Sequence, residues 1–262
     1  MPTPIPTENS KPKFMSPFVA EFIGTMMLIL FGNGVVANVV LARTKGNDSG
    51  WIVIAAGWGI AVFIGAFCAN DFSGAHLNPA VTVAMLIAGK LSLHLAVPYF
   101  AAQLLGAIAG ATLVYLFYRQ HFKATEDADG KLACFCTAPN IRDLPQAFFC
   151  EMVGTFALIL PIFLMITPSL MQGDTPADTD PVLGLGTLGF LPVGMLVFGI
   201  GLSLGGTTGY AINPARDLGP RLVHALLPIA GKRDSDWGYA WIPVVGPIAG
   251  ASLAAMVYLM IA

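Results

Sequence analysis

Two stretches of the sequence decide how the chain folds: "SGAHLNPAVTVA" at residues 73–84 and "TGYAINPARDLG" at residues 208–219. Each contains Asn-Pro-Ala inside a largely apolar region that would be expected to reject an asparagine. Asn is a preferred N-cap, and Pro suits the first helical position, where its missing N–H would have no partner in any case. Each motif therefore predicts the start of a helix. The candidate functional residues in the two motifs are Asn78, Pro79, Ala80, Asn213, Pro214 and Ala215.

The composition indicates a membrane protein. Of the 262 residues, 56% are hydrophobic and only 11% are charged, and the mean hydropathy is +0.73. So few charges would not cover the surface of a water-soluble protein of this length. The net charge of -2 and the lack of a basic stripe exclude nucleic acid as a partner.

Six apolar segments are long enough to span a bilayer, since about twenty helical residues at ~1.5 Å each cross a ~30 Å hydrocarbon core. Two shorter apolar segments begin with Asn-Pro and would reach only about halfway across. The predicted spans are residues 17–41, 51–70, 95–118, 146–167, 182–204 and 239–261, and the short segments are residues 78–88 and 213–222.

The two halves of the chain are related in sequence. "AEFIGTMMLIL" at residues 20–30 matches "CEMVGTFALIL" at residues 150–160, and an Asn-Pro-Ala motif follows each. Three spans per repeat is an odd number, so the second repeat must enter the membrane from the opposite side. We expect a single domain over residues 16–262, with repeats at about 16–120 and 145–262, a linking loop at 121–144 and a disordered tail at 1–15.

Inversion brings the two short helices together, amino end to amino end, near the middle of the membrane. Each helix N-terminus carries about half a positive elementary charge, so cations are disfavoured there. Non-helical backbone at this depth is tolerated only where it is buried in protein or lines a water-filled cavity. The loops at residues 73–77 and 205–212 should therefore turn carbonyl oxygens toward a pore, and the asparagine amides should point at the permeating molecule.

With these motifs the chain resembles the major intrinsic proteins, the aquaporin superfamily, and within them the bacterial glycerol facilitators. The resemblance covers residues 17–261. It implies an all-α membrane protein with six transmembrane helices and two re-entrant half helices in an inverted repeat, forming a right-handed bundle with one pore per chain. It also implies a homotetramer in the cell membrane with both termini cytoplasmic, although the distribution of Lys and Arg runs against the positive-inside rule.

The resemblance assigns Trp58, Gly201, Tyr210 and Arg216 to an outer selectivity filter. Water-selective relatives usually have His in place of Gly201 and a small residue in place of Tyr210, whereas many bacterial facilitators have Phe at the latter position. Gly201 has no side chain and should leave room for a solute opposite Trp58. The rings of Trp58 and Tyr210 should contact the carbon chain of a polyol. Arg216 should donate hydrogen bonds to the hydroxyl groups of the polyol.

Four further residues are predicted to support the loops: Glu21, His76, Glu151 and Asp217. Asp217 is typical of the glycerol-conducting branch, and Arg43 or Lys45 are candidate partners for its carboxylate. Glu21 and Glu151 are expected to accept hydrogen bonds from loop N–H groups; a proton relay is the alternative, because carboxylates inside a membrane are functional suspects.

His76 is expected to shape the wall of the first loop, and the alternative is gating by pH, since histidine titrates near neutrality. Cys134 and Cys136 are close neighbours, but no second pair or His cluster completes a metal site. We expect no metal and no cofactor.

Together these features predict a passive channel for glycerol and other small neutral solutes that also passes water and excludes ions and protons. Its partners would be glycerol and small polyols, water, urea and the lipid bilayer. The alternatives are a water-selective aquaporin or an ion-coupled secondary transporter. An enzyme is not expected, because no nucleophile, base and orienting group converge.

Overall fold

The computed structural model describes residues 15–166, residue 169 and residues 183–262. Within this part of the chain, six helical segments are long and apolar enough to cross a membrane. Five are α1 (Pro17–Val40), α2 (Trp51–Ser73), α4 (Leu93–Phe117), α7 (Leu144–Leu164) and α10 (Ile242–Ile261); the other joins a 3-10 turn (Gly186–Phe190) to α8 (Leu191–Leu204). The predicted ends at residues 167 and 182 lie outside the described residues, as do residues 1–14 of the predicted tail.

Two half helices complete the bundle. They are α3 (Pro79–Ile87), with 9 residues, and α9 (Pro214–Leu226), with 13. Asn78 and Asn213 are their N-caps in extended backbone conformation, as the motifs predict. The second half helix runs beyond the predicted residue 222, because partners from the outer loops hydrogen-bond the polar side chains of its last turns.

The segment between the two repeats is more structured than the predicted loop. It contains two short helices, α5 (Arg119–Ala124) and α6 (Ala128–Ala133). The side chains of Phe122 and Phe135 are buried there and pack against each other, with ring centroids 5.5 Å apart. This segment is therefore anchored to the bundle at the end where α4 finishes and α7 begins.

The half helices interlock the two halves of the chain. Helix α3 packs on α10, the last spanning helix of the second half, and α9 packs on α4, the last spanning helix of the first half. Helix α1 packs on α2 and α4, and α7 packs on α10. Each half helix is thus held in part by the opposite half.

Glycines allow the helices to approach closely. A Cβ atom at Gly250 of α10 would lie 2.1 Å from the carbonyl oxygen of Met152 of α7, and one at Gly106 of α4 would lie 2.4 Å from the carbonyl oxygen of Phe22 of α1. Small residues at such crossings let backbones pack in a membrane, where helices gain little from the hydrophobic effect.

Replacing Gly250 by Ala should therefore destabilise the bundle by about 1–3 kcal/mol, because the methyl group collides with backbone. Gly199→Ala in α8 is the matched control, since a Cβ there meets nothing within 4 Å. Thermal unfolding in detergent checks the pair. A Gly250→Ala protein as stable as the control would contradict this packing.

Candidate functional site

The asparagines of the two motifs bond to each other's loops. Nδ2 of Asn78 donates to the carbonyl oxygen of Ile212 at 2.8 Å, and Nδ2 of Asn213 donates to the carbonyl oxygen of Leu77 at 2.9 Å. Each amide carries two N–H bonds, so one joins the loops and the other is left for the passage. The prediction that the amides point at the permeating molecule therefore applies to only one N–H bond of each amide.

The side-chain oxygens of the same residues cap the helices. Oδ1 of Asn78 accepts from the backbone N–H of Ala80 at 2.8 Å, and Oδ1 of Asn213 accepts from those of Ala215 at 3.0 Å and Arg216 at 3.2 Å. Each asparagine therefore stabilises its own helix with one end of the amide and the opposite loop with the other.

The two loops have the same backbone conformation. The third and the first residues before each asparagine have positive φ although none is a glycine: 50° at Ala75, 53° at Leu77, 38° at Tyr210 and 43° at Ile212. Such residues cost about 1–3 kcal/mol each and persist only where the surroundings impose them. Something must hold the loops in place.

Two buried carboxylates, those of Glu21 and Glu151, hold the two loops in place. Glu21 accepts hydrogen bonds from the backbone N–H groups of His76 (2.8 Å) and Leu77 (2.7 Å) and from the side chains of Ser73 (2.6 Å) and Gln103 (2.8 Å). Each of these donors favours a fixed carboxylate position, so Glu21 acts as a brace for the first loop.

Glu151 makes the equivalent contacts in the second half. It accepts from the backbone N–H groups of Ala211 (3.0 Å) and Ile212 (2.8 Å) and from the hydroxyl of Thr208 (2.7 Å). Both glutamates are fully buried, and neither is among the described residues that line the passage. This position supports the bracing role over the proton relay.

A cavity of about 280 Å³ runs between the loops and past both asparagines. A second cavity of about 300 Å³ lies on the outer side. The two share three lining residues, Trp58, Tyr210 and Arg216. These are three of the four residues assigned to the filter from sequence, and they lie where the two cavities adjoin.

Arg216 is held on two sides where the two cavities adjoin. Its guanidinium carbon lies 4.2 Å from the ring centroid of Trp58, a cation–π contact, and its Nη1 donates to the carbonyl oxygen of Phe135 at 3.3 Å. The residue is 5% exposed, so its charge is largely removed from bulk water. Among the described residues no other hydrogen-bond acceptor is found for its guanidinium, so the remaining N–H groups are available to a solute.

Gly201 lies behind the constriction. A Cβ atom there would be 2.8 Å from the hydroxyl oxygen of Tyr210 and 2.9 Å from its Cζ, so the aromatic ring of Tyr210 fills the room that the glycine leaves. Trp51 closes the other side, with its ring at 5.8 Å from that of Tyr210 and its Nε1 donating to the carbonyl oxygen of Gly201 at 2.8 Å.

The expectation that Arg43 or Lys45 pairs with Asp217 is wrong. Arg221, one helical turn further along α9, donates to the Asp217 carboxylate from Nε at 2.7 Å and Nη2 at 3.1 Å. Thr137 donates to it from its backbone N–H and its hydroxyl, both at 2.7 Å. The pair is buried, and burial is tolerated because these bonds satisfy the carboxylate.

His76 is among the residues that line the passage. Its Nδ1 is 3.1 Å from the hydroxyl of Thr82, and its ring meets that of Tyr99 edge to face at 5.1 Å.

The outer loops have their own ion pair. Arg142 donates to both carboxylate oxygens of Asp236, at 2.5 Å and 2.8 Å. These hydrogen bonds hold the pKa of Asp236 below its ordinary value. Cys134 and Cys136 are buried free thiols, and the described residues contain no group of three His, Cys, Asp or Glu side chains that could hold a metal.

Sequence reasoning missed several residues around the filter. From sequence, no separate role was assigned to Phe135 and Thr137, which lie in the linking loop. Nor was one assigned to Gly32 and Asn33, which lie in the first apolar span. Asn33 was the only one with a visible signal, a carboxamide within an otherwise apolar helix. A Cβ atom at Gly32 would lie 2.3 Å from Cζ3 of Trp58, so this glycine makes room for the filter tryptophan.

Six membrane-spanning helices around a passage in which two half helices meet define a multi-pass membrane channel. A sequence model of the family described as "Major intrinsic protein" matches residues 8–258, and the chain belongs to this family. It is 50% identical to a probable glycerol uptake facilitator protein of Thermotoga maritima, over 93% of this chain and 98% of the relative. It is also 50% identical, with the same coverage, to the glycerol uptake facilitator protein of Streptococcus pneumoniae strain R6.

A solved structure has the same fold. The aquaglyceroporin from Plasmodium falciparum aligns with a TM-score of 0.77 and 32% sequence identity, covering 92% of this chain and 94% of that one. The aquaporin-like fold of six spanning and two half helices is therefore confirmed.

Replacing Gly32 by Ala should disturb the filter, because the new methyl group overlaps the Trp58 ring and the ring must move. Overpacking of this kind costs about 1–3 kcal/mol. We expect solute flux through reconstituted protein to fall several-fold. Gly34→Ala on the same helix is the control, since a Cβ there meets nothing within 4 Å; equal flux in the two variants would contradict the placement of Trp58.

Proposed function

We propose that the protein is a passive channel for glycerol and similar small neutral solutes, with water also passing. The observation that carries this proposal is the constriction of Trp58, Tyr210 and Arg216 at the junction of two cavities. Its wall combines the aromatic rings of Trp58 and Tyr210 with the guanidinium of Arg216. Relatives that share half of the sequence over nearly the full chain are called glycerol uptake facilitators, which supports the choice of glycerol.

The constriction suits an amphipathic molecule. The carbon chain of a polyol would lie against the rings of Trp58 and Tyr210, while its hydroxyl oxygens accept hydrogen bonds from Arg216. Because the guanidinium is planar with several donors, it can bind two adjacent hydroxyls at once. Further in, the free N–H bonds of Asn78 and Asn213 would replace hydrogen bonds that the solute gives up.

Exclusion of ions would arise from Arg216 and from the N-termini of the two half helices. Arg216 and the two helix N-termini place positive charge along the passage, which opposes cations and protons. Anions would lose their hydration in a passage whose wall is largely apolar. An uncharged solute is neither repelled by the positive charge nor stripped of the hydration shell of an ion. The preference for neutral molecules therefore needs no gate.

The competing functions have less support. A water-selective filter is disfavoured because Tyr210 occupies the space at Gly201 that a histidine would need. An ion-coupled transporter needs an ion site, and the buried carboxylates of Glu21 and Glu151 already accept hydrogen bonds from loop donors. The relatives being facilitators also speaks against an enzyme.

The assembly and its orientation are part of the proposal. We propose a single channel domain over residues 16–262, assembled as a homotetramer in the cell membrane with both termini cytoplasmic. Urea is a further candidate solute, since it is small, planar and uncharged.

Vesicles containing the protein should shrink in a hyperosmotic glycerol solution and then re-swell rapidly, whereas sorbitol should cause shrinkage alone. The rate should rise linearly with the glycerol gradient and be independent of proton or sodium gradients. Light scattering in a stopped-flow instrument measures both phases. Uptake that saturates or follows an ion gradient would instead support a transporter, and re-swelling no faster than in empty vesicles would reject the proposal.

Gly201→Ala and Gly201→His should both reduce glycerol flux, the latter by about tenfold or more, because a side chain at 201 pushes Tyr210 into the passage. Adding Tyr210→Cys to Gly201→His should restore water flux but not glycerol flux, since the aromatic wall is then lost. Tyr210→Phe is the control and should keep glycerol flux. Unchanged glycerol flux in Gly201→His would contradict the assigned geometry.

A further inference from the structure

Asn33 is a polar residue in the middle of a spanning helix, yet it does not line the passage. It is fully buried, and its Nδ2 donates to the carbonyl oxygen of Phe135 at 3.1 Å. Within the described part of the chain its Oδ1 has no hydrogen-bond partner. A buried amide with an unpaired oxygen does not stabilise the fold as well as an apolar side chain of the same shape. Asn33 therefore needs an explanation other than stability.

The acceptor that Asn33 uses also holds Arg216. The carbonyl oxygen of Phe135 receives Nη1 of Arg216 at 3.3 Å in addition to Nδ2 of Asn33. A carbonyl oxygen has two lone pairs, and here two donors from different helices use it. The direction of this carbonyl thus depends on α1 and determines where one edge of the guanidinium is held.

The ring of Phe135 fixes the position of the loop, and hydrogen bonds on both edges of the following peptide plane fix the direction of its carbonyl. The side chain is fully buried and packs against Phe122 and His224, with ring centroids 5.5 Å and 5.3 Å away. The N–H of Cys136, in the same peptide plane as the Phe135 carbonyl, donates to the carbonyl oxygen of Leu132 at 3.1 Å. Asn33 adds a restraint from α1 on the carbonyl oxygen itself, at the other edge of that plane.

Fixing one edge of Arg216 matters for the solute. With Nη1 on the Phe135 carbonyl and Trp58 against the guanidinium face, the remaining donors point in one direction. A polyol that binds through two hydroxyls then meets donors already in place, whereas a mobile guanidinium would have to be ordered at each passage. Water needs a single hydrogen bond at a time, so it depends less on this order.

We propose that Asn33 is a positioning residue of the selectivity filter, which orients Arg216 through the shared carbonyl of Phe135 and so favours glycerol over water. The proposal rests on the glycerol conduction proposed above. It concerns a residue that touches no solute, and its effect is on the ratio of two permeabilities.

The test is Asn33→Leu, which keeps the shape of the side chain and removes the donor. The ratio of glycerol to water permeability in vesicles should fall by about fivefold, the effect of about one hydrogen bond. Because both solutes pass through the same inserted molecules, the ratio is independent of the amount of folded protein. The temperature of unfolding should stay the same or rise, an outcome that a residue with a structural role would not give.

Thr25→Val is the matched control. Thr25 lies on the same helix, is fully buried and has a hydroxyl without a partner among the described residues, so its loss should leave the ratio unchanged. In an Arg216→Ala background, Asn33→Leu should have no further effect on the ratio, since the residue it positions is absent. Asn33→Val serves as a second variant with a smaller side chain.

Several results would overturn the proposal: an unchanged ratio in Asn33→Leu, the same fall in the Arg216→Ala background, or failure of both apolar variants to insert, which would make Asn33 structural. Failure here is distinguishable from failure of the proposed function. If the native protein passes glycerol and Asn33→Leu has the native ratio, only the role of Asn33 is wrong; if the native protein passes no glycerol, both proposals are.

Discussion

Two reciprocal hydrogen bonds, from the Asn78 amide to the Ile212 carbonyl and from the Asn213 amide to the Leu77 carbonyl, hold the centre of this protein together. The constraint behind them is the cost of unsatisfied backbone at the middle of a bilayer. A helix that begins there must cap its first N–H groups and find partners for the loop that precedes it. Asparagine does both, since its amide has an acceptor at one end and donors at the other. Positive φ angles in the loops and the carboxylate braces of Glu21 and Glu151 follow from the same requirement, once in each half of the chain.

The outer constriction depends on that centre because Arg216 lies in the first turn of the second half helix. Its backbone N–H is capped by Asn213, so the cap also sets where the side chain departs. The next residue, Asp217, forms a buried ion pair with Arg221 and binds the backbone and hydroxyl of Thr137. The segment from Phe135 to Thr137 therefore contacts both Arg216 and Asp217. A chain segment that connects the two repeats has become the outer wall of the site.

Much of this could be predicted from sequence, because it depends on local chemistry. Spans follow from length and hydropathy, Asn-Pro predicts a capped helix start, and the match around Glu21 and Glu151 predicts equivalent positions. Prediction was poorer where distant segments meet. Arg43 and Lys45 were reasonable partners for Asp217 by charge alone, but Arg221 is one turn away on the same helix and needs no loop to fold over it. The contacts of Gly32 with Trp58 and of Asn33 with Phe135 depend on how α1 packs, which no local pattern specifies. The end of α9 at Leu226 was also missed, because hydropathy falls where the outer loops supply polar partners.

Conduction of uncharged molecules by this protein depends on two half helices that meet by their amino ends and frame one passage. An experimental density map of the protein in lipid nanodiscs with glycerol present tests this most directly. It should show Asn78 and Asn213 bonded to each other's loops, with solute density beside both amides and beside the guanidinium of Arg216. A map in which the asparagines are apart, or in which glycerol lies outside a closed passage, would contradict it.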